Sequence, residues 1–247
     1  MTVGDSLRRR LDPEERYGLR VTLLAVAFLL VAVPFGLLLS QVEGEGSLVR
    51  ADTSAARNLH EWIRDSPSTV QFLKVVTFLG APVWFWLVVV PAAIFVWRRH
   101  HPRLAVFLAV TVLGGGLLNN VVKVVVDRPR PSLVDPVAVA GGRSFPSGHA
   151  MSSTVVYGAL LLVFLPVVPR RLRPLTVAAA VLLVGAIGFT RLALGVHYIS
   201  DVLGGVVLGL AWLAASTAAF STWRLERGRP AVDPMEGLEP EAAADLR

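Results

Sequence analysis

Residues 104–126 read LAVFLAVTVLGGGLLNNVVKVVV, and no Asp, Glu, Lys or Arg occurs in this stretch before Lys123. An α-helix needs roughly 20 apolar residues to cross the hydrocarbon core of a bilayer. The whole chain has the same character, because 54% of its 247 residues are hydrophobic, 17% are charged and the mean hydropathy is +0.60. A soluble domain of this size rarely has such a composition. The stretch therefore predicts a membrane-spanning helix in an integral membrane protein.

Apolar stretches on both sides of this one complete the fold prediction, which is an all-α integral membrane protein with six transmembrane helices. It divides the chain into an N-terminal tail (1–18), a membrane domain (19–223) and a disordered C-terminal tail (224–247) rich in Pro, Ala and acidic residues. The first apolar run is too long for a signal peptide and should be retained. The six predicted spans are Val21–Gln41, Val75–Trp97, Leu104–Val126, His149–Val167, Leu175–Leu192 and Ile199–Trp223.

The basic residues predict the orientation of these spans. The net charge of +6 does not indicate nucleic-acid binding, because the basic residues flank apolar spans rather than a soluble basic face. The segments before Val21 and after Trp223 share one side with the turns at 98–103 and 170–173, and together they hold 15 of the 24 Lys and Arg residues. The positive-inside rule then places both termini in the cytoplasm of a cell that carries this protein in its plasma membrane. The absence of cysteine excludes disulfides and thiolate metal sites.

The connector at 43–74 has apolar residues at helical spacing, namely Ala55, Leu59, Trp62 and Ile63. It is predicted to be an interfacial helix on the outer side. It could gate the access of a lipid, but a connector lying on the headgroups is the favoured interpretation.

Three polar segments fall at the outer ends of the predicted spans. Lys123 ends the third span, and Pro129 and Pro131 hold the following chain extended, so that Arg130 can turn back toward Lys123. Arg128, in the same segment, is interpreted as a solvated loop charge. Any one of these cations alone would be an ordinary helix-end anchor.

The second segment, GGRSFPSGH (141–149), precedes the fourth span. Ser147 can cap that helix. Free backbone N–H groups, the Ser147 hydroxyl and the closely approachable Gly148 backbone can together cradle an anion beside His149.

The third segment runs from Thr190-Arg191 to Asp201. His197 and Asp201 are four residues apart, so on one helix the carboxylate can accept a hydrogen bond from the ring. The three segments together bring three cations, a donor cradle and two histidines to one membrane face, which indicates a phosphate-like ligand.

The chain resembles the type 2 phosphatidic acid phosphatase superfamily, which also contains the vanadium-dependent haloperoxidases. Lys123 through Arg130-Pro131 matches the family motif Lys-x6-Arg-Pro, and Pro146 to His149 matches Pro-Ser-Gly-His. The third motif, Ser-Arg-x5-His-x3-Asp, matches Thr190 to Asp201, with Thr190 where Ser is usual. The resemblance covers about residues 19–223 and implies the helical core of that superfamily.

By this resemblance, His197 is the nucleophile, Asp201 stabilises its ring and His149 is the general acid. The resemblance also implies phosphate binding by Lys123, Arg130, Ser147, Gly148 and Arg191, with no metal and no cofactor. The expected activity is hydrolysis of a lipid phosphate or diphosphate at the outer face through a phosphohistidine. Phosphatidic acid, phosphatidylglycerol phosphate and undecaprenyl diphosphate or another polyprenyl phosphate all fit as substrates.

Two alternatives remain open at this point. One is a protein that binds or transports a phosphate-bearing lipid without cleaving it. The other is a vanadate-dependent haloperoxidase, which the many membrane spans disfavour. The sequence does not indicate an oligomeric state, and the expected partners are the lipid substrate and the bilayer, with no nucleic acid.

Overall fold

A computed structural model describes residues 47–226 and 234–247, together with residues 36, 228, 229 and 232. Every regular element in these ranges is helical. Five helical segments are long and apolar enough to cross a membrane: Pro67–Arg98, Pro102–Val126, Gly148–Val167, Arg170–Ala193 and Ile199–Leu225. The chain is therefore a multi-pass membrane protein. The predicted span Val21–Gln41 lies outside the described residues.

Seven α-helices form the described bundle, and four of them agree with predicted spans to within a few residues. They are α1 (Ser47–Ile63), α2 (Pro67–Phe78), α3 (Pro82–Arg98), α4 (Pro102–Val126), α5 (Gly148–Phe164), α6 (Arg173–Ala193) and α7 (Ile199–Glu226). Four short 3₁₀ segments accompany them: Leu165–Val167, Arg170–Leu172, Pro234–Glu236 and Pro240–Ala243.

The predicted span Val75–Trp97 is broken in the structure, because α2 ends at Phe78 and α3 begins at Pro82. Proline disfavours helical dihedrals in the residue before it, and Ala81 is extended with ψ of 147°. Gly80 lies in this break, where a Cβ atom would approach His149 Cδ2 to 3.1 Å. The break thus brings the backbone close to a candidate site residue.

Helix α5 lies at the centre of the bundle and packs against α4, α6 and α7. The closest approach is to α7, where a Cβ atom on Gly205 would lie 2.7 Å from the Ser147 carbonyl oxygen. Glycine at this position lets the start of α7 lie directly against the start of α5. This contact sets the relative position of two of the sequence motifs.

The prediction of a disordered tail is wrong for residues 234–247. Leu238, Ala242 and Leu246 are buried in the same apolar cluster as Leu104 and Val163. Glu239 and Glu241 form ion pairs with Arg224 and Arg229. These pairs neutralise two of the acidic side chains on which the prediction of disorder was based. The three apolar side chains recur every four residues, so the segment presents one apolar face to the bundle.

The prediction of a helix in the connector is confirmed by α1, but its buried side differs from the predicted apolar face. Ile63 is buried, whereas Trp62 is 68% exposed. The polar side chains of Asp52 and His60 are also buried, and α1 packs against α6 and α7. One side of α1 is therefore covered by protein, and its polar residues need partners there.

Candidate active site

The candidate residues converge at one end of the bundle, where α4 and α6 end and α5 and α7 begin. We call this the site end. The opposite end carries the packed segment 234–247 and the basic turns at 98–103 and 170–173. All eight site residues that the sequence predicts lie at the site end: Lys123, Arg130, Ser147, Gly148, His149, Arg191, His197 and Asp201.

His197 is held by Asp201, as the four-residue spacing predicted. The ring Nδ1 lies 3.3 Å from Asp201 Oδ2, and both side chains are buried, at 2% and 0% exposure. The Tyr198 backbone N–H donates to the same carboxylate oxygen at 2.9 Å. These bonds fix the ring with Nδ1 toward the carboxylate and leave Nε2 directed away from it.

Burial lowers the pKa of His197 to about 4, even though Asp201 acts in the opposite direction. Arg130 and Arg191 lower it further because a charged ring would be repelled by both guanidinium groups. The ring is therefore neutral near pH 7, with a lone pair on the nitrogen that faces Arg130.

Arg130 lies in the loop after α4 and is oriented by backbone carbonyls. Its Nε and Nη2 donate to Gly141 O, at 3.2 and 3.0 Å, and its Nη1 donates to Val196 O at 2.7 Å. The same Nη1 lies 3.1 Å from His197 Nε2. Partial burial lowers the pKa of Arg130 from its ordinary value, but a guanidinium of this kind stays charged.

Lys123 and Arg191 complete the cationic group. Lys123 Nζ donates to the Arg143 carbonyl at 2.9 Å, and its Cε is 3.9 Å from the Cβ position of Gly148. Arg191 is buried, and its Nη1 donates to Thr77 Oγ1 at 3.0 Å. Its Nε has no hydrogen-bond partner among the described residues, so it remains available to an anion.

The start of α5 faces this cationic group. Ser147 is the N-cap of α5 and its hydroxyl accepts from the Ala150 N–H at 3.5 Å. The Ser147 N–H donates to the Asp201 carbonyl at 2.9 Å, which ties the second motif to the third. His149 follows within electrostatic range of His197, Arg130, Arg191 and Lys123.

Arg128 is not a solvated loop charge, and that interpretation is wrong. The side chain is buried and its Nη1 donates to Asp201 Oδ1 at 2.7 Å, while its Nη2 donates to Asp52 Oδ2 at 2.9 Å. It also donates to Ser200 Oγ at 2.7 Å, and Ser200 is bonded to Asp52 in turn. A buried cation needs such partners, and here they come from α1 and α7.

Asp52 and Ser200 were missed in the sequence. Asp52 lies on the connector helix, where an acidic residue among Arg and Glu is typical of a solvated face. The available signal was Arg128 itself, a second cation within two residues of Arg130. Together, Arg128, Asp52 and Ser200 form a buried network that holds Asp201 from the side opposite His197.

An apolar cavity of about 260 Å³ opens beside His149, between α3, α4 and α5. His149 and Gly148 line the cavity where it meets the site end, and Phe85 and Val155 are among its apolar residues. Besides His149, its polar residues are Asn119, Asn120 and Ser152. Within the described residues, no group of three or more His, Asp or Glu side chains is arranged to hold a metal ion.

Sequence comparisons find similarity to one family model and to known lipid phosphatases. The sequence model of the PAP2 superfamily matches residues 104–225. Phosphatidylglycerophosphatase B of Bacillus subtilis is 36% identical over 141 residues, which cover 55% of this chain and 67% of that protein. Lipid A 1-phosphatase of Rhizobium etli is 33% identical over 121 residues, which cover 45% of this chain and 48% of that protein, so the match spans about half its length.

A solved structure shares the fold. The crystal structure of a transmembrane PAP2 type phosphatidylglycerolphosphate phosphatase from Bacillus subtilis superposes with a TM-score of 0.69 and 24% sequence identity. The similarity covers 82% of this chain and 97% of that one.

Proposed function

The chain belongs to the PAP2 superfamily and is a membrane phosphatase of lipid phosphates, and we propose that His197 is its nucleophile. We also propose that the enzyme acts at the outer face of the membrane and needs no metal. The observation that carries the proposal is the position of His197 Nε2. This nitrogen belongs to a buried ring that Asp201 orients, and it lies 3.1 Å from a guanidinium nitrogen that can bind phosphate.

The first chemical step transfers the phosphoryl group to the enzyme. His197 Nε2 attacks phosphorus, a nitrogen–phosphorus bond forms and the bond from phosphorus to the lipid oxygen breaks. His149 donates a proton to the departing oxygen. The ring becomes cationic as it bonds to phosphorus, and the Asp201 carboxylate at Nδ1 stabilises that charge.

The second step releases phosphate. His149, now neutral, accepts a proton from water as the water oxygen attacks phosphorus, and the bond to His197 Nε2 breaks. Lys123, Arg130 and Arg191 neutralise the charge on the equatorial oxygens in both steps, and the start of α5 supplies two further donors, the Ser147 hydroxyl and the Gly148 N–H. Three fixed cations at one phosphate supply the neutralisation that a divalent metal supplies in other phosphatases, so we propose that no metal is required.

The outer location of the site is supported by the distribution of charge. The end of the bundle opposite the site carries Arg98, Arg99 and Arg103 beside Arg170, Arg171 and Arg173. The positive-inside rule places such a face in the cytoplasm. The site end is then extracytoplasmic, where a lipid phosphate in the outer leaflet can reach it.

The test is phosphate release in detergent micelles, in EDTA, by the wild type and the His197→Ala variant. The panel contains phosphatidic acid, phosphatidylglycerol phosphate and undecaprenyl diphosphate. We expect release by the wild type, inhibition by vanadate and no release by the variant. Normal turnover by the variant would remove His197 as the nucleophile, and loss of wild-type activity in EDTA would contradict metal independence. Binding without any release would favour a carrier instead.

A further inference from the structure

Apart from His149 at its site end, the cavity has apolar walls with a belt of three polar side chains. Asn119 and Asn120 come from α4, and Ser152 comes from α5. Amide side chains inside a membrane-spanning helix are costly because the hydrocarbon offers them no hydrogen bonds. Their place on the wall of a cavity that reaches the candidate site points to a ligand rather than to packing.

The Asn119 side chain makes no hydrogen bond among the residues that the structure describes. Its side chain is 7% exposed, and its Oδ1 is fully buried without a partner among the described residues. Its Nδ2 lies 3.4 Å from the Cβ position of Gly148, at the start of α5. The amide nitrogen carries two N–H donors, which the side chain can offer to the cavity that it lines.

The depth of this belt relative to the phosphate-binding cations is one helical turn. Asn119 precedes Lys123 by four residues on α4, and Ser152 follows Gly148 by four residues on α5. One turn is about 5.4 Å along a helix axis. A group bound to Asn119 and Ser152 therefore lies one turn deeper in the bundle than a phosphate bound to Lys123 and the start of α5.

We propose that Asn119, with Ser152 and Asn120, binds the acyl ester carbonyls of a glycerolipid, so that the preferred substrate carries its phosphate on diacylglycerol. This inference rests on the proposed function of the site. In such a lipid, the ester carbonyls follow the phosphate by a few covalent bonds, and each is a hydrogen-bond acceptor without a donor of its own. Amide and hydroxyl donors in an otherwise apolar cavity are complementary to that pattern.

A polyprenyl phosphate offers no acceptor at this depth, since its chain is hydrocarbon from the first carbon onward. Its binding would leave the Asn119 amide buried and without a partner, which is the situation that penalises a ligand lacking a hydrogen-bonding group. The polar belt thus separates two substrate classes that share the same phosphate chemistry.

The test compares dioleoyl phosphatidic acid with its di-O-oleyl ether analogue, which differs only by lacking the two carbonyl oxygens. Both are assayed for kcat/KM in the same mixed micelles. We expect the wild type to favour the ester by about tenfold, the effect of one or two well-placed hydrogen bonds. Asn119→Leu and Ser152→Ala should lower the ester rate and leave the ether rate, which brings the ratio toward one.

Thr111→Val is the matched control. Thr111 is another buried side chain of α4 whose hydroxyl lacks a partner among the described residues, but it lies two turns deeper and does not line this cavity. Its ratio of ester to ether rates should equal that of the wild type.

Two results would overturn the inference while leaving the proposed function intact: a wild-type ratio near one, or an equal loss on both lipids in Asn119→Leu and Ser152→Ala. The wild-type ratio needs no variant, so it decides the matter even if Asn119→Leu fails to fold. Hydrolysis of neither lipid, nor of any polyprenyl phosphate, would instead refute the proposed function itself.

Discussion

Asp201 joins three parts of the chain through three of its own atoms. Its Oδ2 lies against the His197 ring, its Oδ1 accepts from Arg128, and its backbone carbonyl accepts from the Ser147 N–H. A carboxylate with no exposed surface is stabilised only by such partners. The geometry of the nucleophile therefore depends on Arg128, which is held on its other side by Asp52.

Removing Arg128 should damage both stability and catalysis. Arg128→Ala removes the cation that neutralises the buried carboxylates of Asp52 and Asp201, which should cost about 3–5 kcal/mol of unfolding free energy. Without Arg128, Asp201 should shift and displace the His197 ring, which should lower kcat by about 10²-fold. Thermal unfolding in detergent and steady-state kinetics measure the two effects.

Arg143→Ala is the control for that variant, because Arg143 forms an ion pair with Asp127 in which both side chains are largely exposed. Exposed pairs contribute about 0–1 kcal/mol. Equal losses in Arg128→Ala and Arg143→Ala would show that the buried network has no special role.

The depressed pKa of His197 predicts an active enzyme well into the acid range. The ring is neutral above its pKa of about 4 and gains a proton on Nε2 below it, so kcat/KM should rise with pH through about 4 rather than through the ordinary histidine value near 6.5. The pH dependence of kcat/KM is measured for a lipid monophosphate and for a lipid diphosphate. If the fall in kcat/KM at acid pH is caused by protonation of His197, it occurs at the same pH with both substrates. An acid limb near 6.5 with both substrates would show that burial does not lower this pKa.

At the scale of helices, the site depends on how closely α7 approaches α5. Gly205 makes that approach possible, since a Cβ atom there would meet the Ser147 carbonyl at 2.7 Å and the Ala150 Cβ at 3.1 Å. Because the opposing atom at Ser147 is backbone, it cannot move without moving the start of α5. The absence of a side chain at Gly205 thus permits the close contact between the second and third motifs, which the bond from the Ser147 N–H to the Asp201 carbonyl also joins.

Gly205→Ala should cost about 1–3 kcal/mol of stability through overpacking and should lower kcat by displacing Ser147, Gly148 and His149. Gly185→Ala, on α6, is the control, because nothing lies within 4 Å of its Cβ position. That change should be neutral or should stabilise the protein by about 0.5–1 kcal/mol. A Gly205→Ala protein with wild-type kcat and stability would contradict this account of the helix contact.

The last four spans and the convergence of the eight candidate residues could be predicted from the sequence because they depend on local patterns: apolar runs, proline stops and fixed spacings such as His197 to Asp201. The break at Gly80 could have been read from Pro82 but was hidden within a continuous apolar run. The partners of Arg128 could not be predicted, because Asp52 lies 76 residues away and nothing local distinguishes it from a solvated charge. Long-range pairs of this kind depend on packing that one sequence does not reveal.

At the scale of the whole molecule, the two ends of the bundle carry different groups of residues. The site end holds the cations and the two histidines, and the opposite end is closed by residues 234–247. There His101 lies between Glu239 and Asp245, at 3.4 and 3.1 Å, and Leu238 and Leu246 are buried. The segment packs against the end of α5 that is farthest from Gly148.

Deletion of residues 234–247 should therefore lower stability without changing the chemistry. Burial of each leucine contributes about 2 kcal/mol, which the entropy of ordering the segment partly offsets. We expect a lower melting temperature in detergent and a kcat within about twofold of the wild type at a temperature where both are folded. A large loss of kcat in the folded truncated protein would mean that this end of the bundle is coupled to the site.

The most direct test of the central claim is to trap the covalent intermediate. Wild-type protein is mixed with phosphatidic acid labelled on its phosphate, quenched with alkali within the first turnovers, and digested for peptide mapping. A phosphohistidine is stable in alkali and labile in acid, and we predict that the label lies on His197 and is absent from His197→Ala. A label on another residue, or rapid turnover with no trapped label in either protein, would contradict the proposal that His197 is the nucleophile.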